Sequence, residues 1–90
     1  MKMNKSTTYF PESSDDVSFT ATPDSFTVPA DIYIMRVIAD QDCVITWPGD
    51  SGSAKIPAGI PEYFGVHPET DLSVVRDTTD GTLSVSWMTN

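Results

Sequence analysis

Ninety residues with thirteen acidic and five basic side chains, a net charge of −8 and a single cysteine describe one small acidic domain. A lone cysteine excludes an intramolecular disulfide, the charge argues against direct binding of nucleic acid or anionic membrane lipid, and no apolar run nears the ~20 residues that span a bilayer. Only ~60–65% of the unfolded surface is buried in a chain this size, so assembly with copies of itself or with a larger partner is the expected source of further burial.

Residues 1–16 are rich in Ser, Thr, Asn, Lys and Asp and are expected to form a flexible polar N-terminal arm, with the β-domain over 17–90. Tyr9 and Phe10 break that polarity and are candidate partner-binding anchors, since two rings can bury much apolar surface on a neighbour. No hydrophobic segment follows Met1-Lys2-Met3, so the expectation is synthesis in a reducing compartment, or use in a particle assembled there.

Val17, Phe19 and Ala21 alternate with polar residues and predict a first strand. Pro23-Asp24 turns the chain into a short strand over 25–28, which Pro29 ends. Residues 32–39 are apolar on both faces, as in a central strand covered on each side; one face carries Ile32, Ile34, Arg36 and Ile38, the other Tyr33, Met35, Val37 and Ala39. Asp40-Gln41-Asp42 is expected as a tight turn returning 43–47 as a hairpin partner. A polar loop over 48–53 follows, then strands over 54–56, 62–66 and 71–76. Asp77 to Gly81 is expected to close a hairpin into the last strand, with Gly81 at a positive-φ position. That strand, Gly81-Thr82-Leu83-Ser84-Val85-Ser86-Trp87-Met88, puts Leu83, Val85 and Trp87 on one face. Seven to eight short strands without helical periodicity predict an all-β fold, a small antiparallel β-sandwich or jelly-roll-like barrel.

Few residues invite chemistry. Gly49-Asp50-Ser51-Gly52 matches the tetrapeptide around the nucleophile of trypsin-like proteases, but the one histidine, His67, follows it, and the chain is too short for that two-barrel fold. One Cys and one His cannot supply a zinc site. Asp40 with Asp42, or Asp77 with Asp80, could contribute to a calcium site, though turn aspartates more often cap their own backbone. Trp47, Trp87 and Tyr63 could form a sugar-binding platform, but Trp47 and Trp87 share the alternation of Cys43, Ile45, Leu83 and Val85 and read as core. No catalytic residue, cofactor or metal is therefore expected. Arg36, a charge in an apolar strand, must be paired; Glu62, Asp71 and Glu12 are the candidate carboxylates, and a subunit contact is the alternative.

Four stretches stand in a recognisable order: Ile34-Met35-Arg36-Val37-Ile38-Ala39, Asp42-Cys43-Val44-Ile45, Ile56-Pro57-Ala58-Gly59-Ile60-Pro61-Glu62-Tyr63-Phe64 and Gly81-Thr82-Leu83-Ser84-Val85-Ser86-Trp87-Met88-Thr89. Together they resemble small proteins encoded among the virion genes of tailed bacteriophages, which carry L-P-A-G-x-P-E-x-F followed by G-T-L-x-V-x-x-M-T. The resemblance runs from the central strand onward and leaves out the polar arm. It implies a non-enzymatic virion structural protein, made in the host cytoplasm. A capsid decoration (cement) protein bound to the major capsid protein fits best, as a homo-oligomer that could be a trimer. A head–tail connector, tail or fibre component is the alternative within the virion, and a small carbohydrate-binding module the alternative outside it. Tyr9, Phe10 and Arg36 are the expected partner contacts.

Overall fold

The computed structural model describes residues 10–50 and 52–89. They form eight strands and one 3-10 turn (Pro48–Asp50): β1 (Phe10–Phe19), β2 (Asp24–Thr27), β3 (Ile34–Ala39), β4 (Cys43–Thr46), β5 (Ser53–Ile56), β6 (Glu62–Gly65), β7 (Asp71–Arg76) and β8 (Gly81–Thr89). The first sheet runs β1-β8-β3-β6 and the second β2-β7-β4-β5, all neighbours antiparallel. Within this order β1 pairs β8, β2 pairs β7, β3 pairs β6 and β4 pairs β5. The chain is thus one long hairpin, folded at β4–β5 and rolled so that its paired segments alternate between two layers. This is the topology of an eight-stranded jelly roll.

The nested pairing corrects two expectations. β3 and β4 do not form a hairpin, nor do β7 and β8: in each case the two strands lie in different sheets. The 40–42 and 77–80 turns are corners at which the chain crosses between layers. A corner and a reversal need the same short polar residues, so the turn chemistry could not separate them. β4–β5 is the hairpin between consecutive strands, closed by the Trp47 N–H donating to the Gly52 carbonyl at 2.9 Å.

The first strand begins at Phe10 rather than Val17. Residues 10–16, read as arm, pair along β8, with Asp15 opposite Val85 and a bulge between Pro11 and Ser13. Their polarity reflects an edge position. Asp15, Val17 and Phe19 share the inward face, and the Trp87 indole N–H donates to the Asp15 carboxylate at 2.8 Å. An inward charge and a bulge both discourage edge-to-edge pairing with another sheet.

Between the layers lie Phe19, Met35, Val37, Ala39, Leu83, Val85 and Trp87 from the first sheet and Phe26, Cys43, Ile45, Ile56, Leu72 and Val74 from the second. Trp87 is completely buried and meets Phe26 across the layers, ring centroids 6.2 Å apart. Each fully buried large side chain contributes ~1.5–3 kcal/mol by leaving water. Among the described residues no polar or charged residue is fully buried, so apolar burial holds the layers together. Gly81 does not take a positive φ; it is required for room, because an added Cβ would meet the Asp40 carboxylate and lie 2.7 Å from the Phe19 ring.

Candidate protein-docking face

In an antiparallel pair directly opposed side chains share a face. The outward positions of the first sheet are therefore Ile34, Arg36 and Ile38 of β3, Thr82, Ser84, Ser86 and Met88 of β8, Tyr63 and Gly65 of β6, and Ser14, Asp16 and Ser18 of the edge strand β1. Arg36 sits between Tyr63 and Ser86. Among the nine positions of β3, β8 and β6 there is one cation and no acid, on a chain of net charge −8; Asp16 of β1, opposite Ser84, is the described acid on this face. Acidic residues gather in the corners and loops instead, at Asp24, Asp31, Asp40, Asp42, Glu69, Asp77 and Asp80.

The large hydrophobic side chains most exposed to solvent are Tyr33 (61%), Tyr63 (58%) and Ile60 (49%). All three line the β6 side of the first sheet. Tyr33 stands beside Val66, whose N–H donates to its carbonyl; Tyr63 lies across from Arg36; Ile60 follows Gly59, whose N–H donates to the Ala39 carbonyl at 2.8 Å. The row spans six residue steps of β3, roughly 20 Å. Half-buried Ile34 and Ile38 lie behind it. Several exposed apolar side chains along one sheet edge mark an interaction surface more often than a lone exposed residue does. Beside Ile38 an open depression of about 410 Å³ is lined by Ile38, Ala39, Asp40, Thr82 and Ser84.

Local structure fixes the row in place. Gly59 takes a φ of 77°, a left-handed conformation that costs other residues ~1–2 kcal/mol. Asp42 accepts the Ala58 N–H at 2.8 Å, tying the 57–61 loop to the β3–β4 corner. Asp40 accepts the Thr82 N–H at 2.7 Å. Asp77 meets Lys55 at 3.3 Å and Asp80 meets Arg76 at 2.6 Å. The four aspartates considered as calcium ligands are thus engaged in backbone caps and ion pairs, and among the described residues no cluster of three or more metal-binding side chains occurs.

The opposite outer face differs. Sheet two presents Ser25, Thr27, Val44, Thr46, Ser53, Lys55, Asp71, Ser73 and Val75, with Thr27 donating to the Asp71 carboxylate at 2.6 Å. It is a mixed polar surface without aromatic rings.

The sequence-based site residues fall out as follows. Tyr9 lies outside the described residues. Phe10 begins β1, its backbone opposite Thr89, and its side chain is not described. Arg36 lies on this outer face, and among the described residues two ion pairs occur and Arg36 is in neither. Glu62 is opposite Val37, one step out of register and on the other side of the sheet; Asp71 belongs to the second sheet; Glu12's side chain is not described. The outer side of β3 also lacks the cover expected of it, Ile34, Arg36 and Ile38 being half-exposed. Tyr33 departs from its predicted inward face because β3 begins only at Ile34, and alternation does not extend past a strand's end. Ser51 lies outside the described residues. Trp87 is buried, Trp47 packs edge-on against Phe64 at 5.3 Å, and Tyr63 faces outward, so no three-ring platform forms. Ile60 and Tyr33 were missed as surface residues. For Ile60 a signal existed, since an isoleucine between Gly59 and Pro61 in a turn has little access to a core.

No protein-family model matches the chain, and a search of curated proteins finds no match.

Proposed function

We propose that this chain is a non-enzymatic structural protein of a tailed-phage virion, a capsid decoration protein that grips the major capsid protein lattice through the outer face of β3 and β6. The observation that carries the docking part is the exposure of Tyr33, Ile60 and Tyr63 along the β6 edge of the first sheet, where β3, β6 and β8 place no outward acid. The virion assignment comes from the sequence resemblance, and Ile60 and Tyr63 fall in its most distinctive segment. Acidity elsewhere keeps such a protein soluble until it meets its lattice. Co-sedimentation with empty shells of the encoding phage tests the reading. Saturation at hundreds of copies per particle is expected for decoration, whereas about a dozen would follow from a connector ring's symmetry and overturn it. Failure to sediment with shells would remove the reading altogether.

A further inference from the structure

The docking face carries one feature that apolar complementarity leaves unanswered, the guanidinium of Arg36. Among the described residues the other two basic side chains, Lys55 and Arg76, are neutralised by Asp77 and Asp80. Arg36 is half-buried, flanked along its strand by Ile34 and Ile38 and across the sheet by Tyr63 and Ser86, and no acid projects from the same face of β3, β6 or β8. Arginine does not shed its proton in proteins. An apolar surface closing over Tyr63 and the isoleucines would strip water from that charge, so docking is favourable only if the incoming surface supplies an acceptor.

We propose that the partner is a protein surface that is apolar at its centre and sets a carboxylate over Arg36, an inference that rests on the docking reading above. A carboxylate matches the fork of the guanidinium with two parallel hydrogen bonds, and the surrounding Tyr63, Ile34 and Ile38 exclude water from the pair. A second copy docking face to face with its two-fold axis at Arg36 sets one guanidinium against the other, and Asp16, the described acid on that face, stands two strands away on β1. A nucleic-acid or lipid phosphate is opposed by the net charge of −8. Strand addition at an edge is disfavoured as well: β1 has its bulge and inward Asp15, β2 lies between Pro23 and Pro29, β5 carries exposed Lys55, and β6 is four residues long after Pro61.

The test compares wild type, R36K and R36E for co-sedimentation with empty shells, after thermal unfolding has shown that all three fold. R36E is expected to bind roughly 30-fold or more weakly than wild type, with R36K between the two. Carbodiimide treatment of the R36K–shell complex is expected to link the new amine to an Asp or Glu of a shell protein, located by mass spectrometry. Equal binding of wild type and R36E overturns the carboxylate and leaves the docking reading standing. A link only to a second copy of this chain also overturns it. Wild type that does not sediment with shells overturns the docking reading itself, and the carboxylate falls with it.

Discussion

Three residues show how single side chains set the stability of this sandwich. Trp87 is fully buried, and its indole N–H donates to the carboxylate of Asp15 at the β1 edge. Replacing Asp15 with Ala removes the carboxylate acceptor of that donor, which is expected to cost ~1 kcal/mol, seen as a lower urea midpoint at unchanged slope; D15N keeps an oxygen acceptor and is expected to lose less. The pair was invisible in the sequence, because the two partners are 72 residues apart and Asp15 sits in a run of polar residues. Cys43 is fully buried, and burial foremost, then the carboxylates of Asp42 and Asp40, push its thiol from 9.0 up to about 11. Between those values the folded chain holds a proton that the unfolded chain has released, so this contribution to stability is complete below pH 9 and declines as pH rises towards 11. The stability difference between wild type and C43A is therefore expected to shrink by roughly 2–3 kcal/mol from pH 8 to pH 11 in urea unfolding; a difference that stays constant would contradict the shift. Gly81 was expected at a positive φ and does not take one; the constraint there is the space occupied by Asp40 and Phe19.

At the level of elements, six of the eight strands were legible to within one residue, because their alternation comes from one face being buried and the other wet. The seventh, β3, was placed two residues early, through Ile32 and Tyr33. The eighth, β1, was mostly lost, being recognised only from Val17. An edge strand is wet on its outer face and along one side, so its Ser and Asp residues imitate disorder. Sheet membership was not legible either, since it depends on which distant strand each segment meets. The corrected β1 has a consequence for truncation. Removing residues 1–9 leaves every β1–β8 pair in place, and the protein is expected to stay soluble and cooperatively folded. Removing residues 1–16 strips most of β1 from β8 and uncovers Trp87 and Val85, and aggregation or loss of a cooperative melt is expected. Equal behaviour of the two truncations in thermal unfolding would restore the arm boundary at residue 16.

For the whole molecule, the small size and acidity foreseen from composition are joined by an asymmetry that composition cannot express. One broad face is mixed and polar; the other has no acid on β3, β6 or β8 and is edged by Tyr33, Tyr63 and Ile60. Arg36 was singled out from the sequence as the odd charge in an apolar strand, and its place on that second face follows from the period of two. Its lack of a described carboxylate partner depends on the β3–β6 register, which places Glu62 one step away on the opposite side, and no local pattern encodes that register. Hydroxyl-radical footprinting of the chain, free and bound to shells, tests the docking face most directly. Oxidation of Tyr33, Tyr63 and Ile60 is expected to fall several-fold on binding while Val44, Lys55 and Val75 on the other sheet keep their free rates; protection of that second set with the tyrosines unchanged would contradict the assignment of the docking face.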